Sequence, residues 1–245
     1  MLSDAGDFHA SAVFVPYMES DDADVFTNAG YSFHAAYSPV KHLGLMASVN
    51  NLSLIGNNSQ VRRAYISYEG AVGGYISKQP RPTVTLLADL YGGVNFGRFD
   101  SEVAFNSQSI FIQPGIAMRT KAVDLGLNFR INYMRFNNFN AKQFTQNDLV
   151  NNYLIDNEGR LFTEKSYLFY EPAFTVRPGF HFIRMQFQAG MGLPMMNYSN
   201  FDDNNREYRG LNLSLGIYFS YDDLIKYKQG KSKKNTEVLT RRLHN

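Results

Sequence analysis

The 245-residue chain has no cysteine and no tryptophan, and nowhere do its apolar residues run for the ~18 positions that a membrane-crossing helix needs. Without cysteine, disulfide scaffolds and Cys-based zinc sites are excluded. A formal net charge of +2 is too small to point to nucleic acid. No G-x-S-x-G, H-E-x-x-H, P-loop or dinucleotide fingerprint occurs, which removes the usual soluble chemistries and leaves no cofactor implied. The opening MLSDAGDFHA has neither a basic nor an apolar signal region, so an exported form would have lost its leader.

What is present is alternation. Leu211, Leu213, Leu215, Ile217 and Phe219 alternate with Asn212, Ser214, Gly216, Tyr218 and Ser220, the mark of a strand with one apolar face. Val123 to Tyr133, Val84 to Phe96, Ile183 to Leu193 and Leu168 to Val176 repeat it, and weaker rows lie near 8–17, 30–38, 43–51, 61–72 and 109–119. That makes ten strands, each near the 9 to 11 residues that cross a bilayer at a barrel tilt. Connections at 39–42, 120–122 and 178–181 are tight and 73–82 moderate, whereas 18–29, 52–60, 97–108, 136–165 and 194–209 are longer and polar. Short and long therefore alternate strictly, predicting a ten-stranded antiparallel up-and-down transmembrane β-barrel with short periplasmic turns, long extracellular loops and both termini periplasmic.

A soluble barrel of lipocalin type has the same period. Its interior, however, holds only a filled core or one small ligand, too little for about fifty apolar residues. Tyr17, Tyr37, Tyr75, Phe96, Tyr133, Phe136, Tyr167, Phe180, Phe219 and Tyr221 fall near strand ends, where interfacial girdles are expected. Residues 1–221 are read as the barrel and 222–245 as a basic periplasmic tail. That tail carries Lys226, Lys228, Lys231, Lys233, Lys234, Arg241 and Arg242 against three carboxylates, so its charge is +4 and the body's −2. It is expected to be solvated or to contact anionic lipid headgroups or a partner.

The stretches MLSDAGDFHASA, SFHAAYSPVKHLGLMASVNN (32–51), ISYEGAVGGY (66–75) and LADLYGGVNFG (87–97) resemble small outer-membrane β-barrels of Gram-negative bacteria, in particular those of the Bacteroidota. Such barrels are often lipoproteins acylated on a cysteine upstream of the barrel; with no Cys here, the resemblance implies lipidation only for a longer precursor. It implies a fold and a location, and no activity.

With the apolar rows facing lipid, the lumen receives Arg63, Glu69, Asp89, Arg119, Asp124, Arg130, Glu171, Arg177 and Arg184, with Gln113, Gln186 and Gln188 among them. Mixed signs favour pairing. A turn centred near Lys121 sets Arg119 opposite Asp124, and Glu171 is expected near Arg184 and opposite Gln186 and Gln188. The expectation is a polar network bracing a filled lumen, with a charge-lined pore as the alternative. Of the five histidines, His42 and His181 fall in tight turns, His244 in the tail and His9 at the start of the first strand. His34, inward with Ser32 on the same face, is the one placed to serve as a base in a lipid-modifying enzyme. Glu19, Asp21, Asp22 and Asp24, and separately Asp202 and Asp203, lack EF-hand spacing and are read as solvated loop charge, so no metal is implied. Phe139, Phe144, Tyr153 and Phe162 in the 136–165 loop suit it to covering the mouth or gripping a partner. The functional expectation is a non-enzymatic structural or interaction subunit, with outer-membrane lipids, lipopolysaccharide and other outer-membrane proteins as partners.

Overall fold

The computed structural model describes residues 2, 4–21, 24–55, 62–100, 103–142, 161–180, 182–195 and 211–229, and no more than the backbone within 16–29, 53–64, 162, 180 and 211–212. Its strands are β1 (Phe8–Asp21), β2 (Asp24–Val40), β3 (Leu43–Ile55), β4 (Arg62–Arg81), β5 (Val84–Asp100), β6 (Ala104–Thr120), β7 (Val123–Asn140), β8 (Ser166–Phe180), β9 (Ile183–Met191, continued by Leu193–Pro194) and β10 (Leu211–Ser220). A helix, α1, follows at 221–229. Each strand pairs antiparallel with the next, and β1 closes on β10 through Phe14↔Leu215 and His9↔Ser220. Closure leaves no edge, as hydrocarbon demands of any backbone that crosses it.

Alternation sets the two faces. Phe14, Phe33, Leu45, Val72, Leu90, Ile112, Ile131, Phe174, Met185 and Leu215, one from each strand in turn, are all exposed on the outside. In water such a band would be an aggregation surface; in lipid it is the natural exterior. The inner face carries small and polar side chains, among them the buried Ser48, Ser67, Ser107, Ser109 and Thr175.

The strands are longer than their apolar rows. At a tilt of about 40°, the 20 residues of β4 rise about 50 Å against an apolar band of about 25 Å. Turns at Val40↔Leu43, Arg81↔Val84 and Phe180↔Ile183 fix one end, so the excess projects at the long-loop end. Three expected connections are corrected accordingly: pairing runs on to Asp21↔Asp24 and to Asp100↔Ala104, and 73–82 lies mostly in the ladder, with Ile76↔Ala88 paired. Beyond the lipid neither face needs an apolar row, so the period fades while the backbone still pairs.

The girdle is corrected as well. Tyr37, Phe96 and Tyr221 are exposed outside, but Tyr75, Phe136 and Tyr167 are buried inside. Tyr75 shares the face of Glu69, six residues before it, so parity turns it inward. At the projecting end Phe136 meets Phe105 and Tyr167 edge to face, each at 5.4 Å between ring centres, and Phe169 packs with them.

Candidate functional site: a braced lumen

Midway along the lumen, Arg130 on β7 reaches over β6 and β5 to Glu69 on β4. Nη1 and Nη2 donate to Oε2 and Oε1 at 2.7 and 3.0 Å, a bidentate pair. Gln113 on β6 accepts from Nε and Nη2 of the same guanidinium at 2.9 and 2.7 Å, and the Phe111 ring lies beneath it at 4.0 Å. Glu171 on β8 stands 4.0 Å away and accepts a 3.0 Å bond from Asn132 Nδ2. One planar cation thus joins four strands.

A second cluster fills the short-turn end. Asp124, whose side chain has no exposed surface, lies 2.5 Å from Arg184 Nη1 and 3.6 Å from Arg119 Nε. Arg119 and Asp124 are direct register partners. Arg119 Nη2 donates to Tyr218 Oη at 3.2 Å, and that hydroxyl meets His9 Nδ1 at 2.6 Å. Arg177 lies over the Tyr218 ring and donates from Nε to Gln186 at 2.8 Å. The expected neighbourhood of Glu171 is corrected: Gln188 pairs with Thr175 and Arg184 with Gly179, because β9 turns back at 182 and sets those residues four or more positions below Glu171.

Helix α1 adds to this end. Ser220 Oγ accepts from the Asp223 amide at 3.3 Å, capping its first turn, and Asp223 Oδ2 stands 3.9 Å from Arg184 Nη2. The Phe182 and Tyr227 rings pack at 5.8 Å. Burial works against the Lys226 ammonium, but its hydrogen bond with Asp222 and that carboxylate's charge hold the amine above its ordinary value. Lys228 is exposed on the helix; Lys231, Lys233, Lys234, Arg241 and Arg242 lie outside the described residues.

Asp89, on β5 between the strands that carry Glu69 and Gln113, is joined to neither cluster. Its Oδ1 has no hydrogen-bond partner among the described residues and faces Asn128 across Gly115. Next to it Tyr91 is 3% exposed in a slot that Gly44 and Gly73 leave open, since a Cβ at Gly44 would stand 2.2 Å from the Tyr91 hydroxyl. His34 points into the lumen between Ser11 on β1 and Ser48 on β3 and keeps exposed surface there; Glu69, Arg177 and Arg130 are the charges that act on it. His42, at positive φ in the β2–β3 turn, bonds the Tyr75 carbonyl at 2.9 Å. Arg63 pairs with Leu54 in register, and its side chain is outside the described residues, as are His181, His244, Asp22, Asp202, Asp203 and 143–160. The participation of Tyr218 and His9 was missed in the sequence. Tyr218 is the one large residue on the small polar face of β10, which is the signal that could have found it.

No family model matches the chain, and no curated protein does. Among solved structures it is similar to the translocator domain of the autotransporter NalP from Neisseria meningitidis, at 7% identity and TM-score 0.40, covering 88% of each chain. It is also similar to OmpT, an outer membrane protein of Vibrio cholerae, at 9% identity and TM-score 0.26, covering 89% of this chain and 100% of that one. The expectation of a non-enzymatic barrel is corrected here: it rested on missing soluble motifs, and their absence excludes no activity, because barrels of one architecture carry different functions in their sites. The closed ten-stranded barrel and its outward apolar band make this chain a β-barrel of outer-membrane type.

Proposed function

We propose that the protein is a structural or interaction subunit of the outer membrane, held in a larger assembly, with a braced lumen and with both termini and the basic tail on the periplasmic side. The Glu69–Arg130 pair carries this reading: a ten-stranded barrel is narrow, and a bidentate ion pair spanning it obstructs the path an ion would take. The stretches 1–12 and 32–51 support a place among Bacteroidota barrels, with any lipid anchor carried by a longer precursor. Lipopolysaccharide and other outer-membrane proteins are the partners this placement implies. Planar-bilayer recording is the test of the lumen: no steady current is expected, and an ion-selective current altered by Arg130→Ala or Glu171→Gln would establish a diffusion channel instead. Pull-down of the detergent-solubilised protein from its native membrane tests the assembly, and recovery as a lone monomer sinks it.

A further inference from the structure

We infer that the short-turn rim is a binding collar for anionic phospholipid headgroups, built by Lys41, Lys78, Arg81 and Lys121 and extended by Lys226 and Lys228 of α1. The inference rests on the membrane placement above and goes beyond it by assigning phospholipid binding to the rim itself, through Lys41, Lys78, Arg81 and Lys121, which no sequence pattern singled out. Lys41 lies in the β2–β3 turn, Lys78 and Arg81 at the end of β4, and Lys121 in the β6–β7 turn, and all four are exposed. None of them makes an ion pair among the described residues. At the long-loop end, by contrast, Arg98 and Lys142 both hold Asp100.

The carboxylates of the short-turn end explain the difference. Asp124 and Asp7 are buried, and Asp124 and Asp223 are turned to Arg119 and Arg184 inside the mouth. Interior acids neutralise interior arginines, and the outward charge of the rim is left largely basic among the described residues, with Asp4 exposed and Asp222, half-buried, tied to Lys226. The collar also adjoins the lipid-facing band directly. Val40 is 55% exposed beside Lys41, and Ile76, at 65%, stands one outward position from Lys78. Long aliphatic stems let such ammonium and guanidinium groups lie along the apolar band and place their charge at headgroup phosphates. A basic side chain within reach of an anionic lipid surface strengthens attraction by about fivefold.

The test places the full chain in phosphatidylcholine nanodiscs containing a minority of phosphatidylglycerol and measures, with spin-labelled lipids, which headgroup is enriched at the protein. A preference of roughly fivefold for phosphatidylglycerol is expected, falling toward unity in the variant Lys41→Gln, Lys78→Gln, Arg81→Gln, Lys121→Gln and in high salt. No preference in the wild type, or one that survives both substitution and salt, overturns the collar. Heat-modifiable mobility of the variant shows that its barrel is intact, and failure of the wild type to enter nanodiscs as a heat-modifiable species would reject the membrane placement and not the collar.

Discussion

Glu69 and Arg130 meet across the lumen from strands that are not neighbours, with 2.7 and 3.0 Å between their paired oxygen and nitrogen atoms. Truncating either partner leaves a charge inside a narrow barrel with its best counter-ion gone. Glu69→Ala is expected to cost about 2–4 kcal/mol, seen as a lower urea midpoint for unfolding from lipid vesicles. The double variant Glu69→Ala, Arg130→Ala should cost clearly less than the sum of the singles, since the second change removes the stranded charge. Strict additivity would show that the pair does not act as a unit.

Tyr91 supplies a second, steric test. A methyl at Gly44 would stand 2.2 Å from its hydroxyl oxygen, the far end of a side chain that can be shortened. A methyl at Gly73 would stand 2.2 Å from the Leu90 carbonyl oxygen, which cannot move without breaking the sheet. Gly44→Ala and Gly73→Ala should each destabilise by about 1–3 kcal/mol. Tyr91→Phe should recover part of the loss in the first and none in the second, by the same urea midpoint. Equal rescue of both would place the clash elsewhere.

These two relationships differ in how far the sequence reveals them. Strand number, closure and the outward rows were legible because lipid imposes one chemical rule on alternate residues, as Leu211 to Phe219 display. The Arg119–Asp124 pair was legible too, since a tight turn fixes which residues face each other. Glu69 and Arg130 are 61 residues apart and meet only through the curvature of four strands, which no local period encodes. Tyr75 and Tyr167 misled because hydrophobicity marks an aromatic residue as apolar without saying which wall it lines. The overshoot of β5 and β6 past Phe96 and Gln108 was hidden for the opposite reason: outside lipid nothing constrains the outward face.

At that overshoot, Asp100 accepts from Lys142 and from Arg98, the latter at 3.2 Å. The Lys142 hydrogen bond and charge, helped by Arg98, hold the Asp100 carboxyl below the usual carboxylate range. A depressed folded value means that the tie contributes above the ordinary pKa of about 3.9 and is lost as pH falls through the lower folded value. NMR titration of the Asp100 carboxyl should give a midpoint below about 3.9, and Lys142→Ala or high salt should raise it. A wild-type midpoint at the ordinary value would remove the tie from the account.

Among the described residues, the helix after β10 is held to the mouth by the Ser220 cap, the 3.9 Å approach of Asp223 to Arg184 and the packing of Tyr227 on Phe182. The nine described residues of α1 are too few to persist as a helix alone in water, so their order draws on those contacts. Ser220→Ala removes the cap, worth about 1 kcal/mol, and should raise amide exchange through 221–229 about fivefold while leaving the barrel strands protected. Asp223→Ala, which deletes the ion-pair partner and leaves the Ser220 hydroxyl in place, should loosen the same segment. It should also leave Arg184 with Asp124 as its remaining carboxylate, so combining it with Asp124→Asn should destabilise the barrel by more than the two changes separately. Unchanged exchange in both single variants would mean that neither the cap nor the ion pair docks the helix.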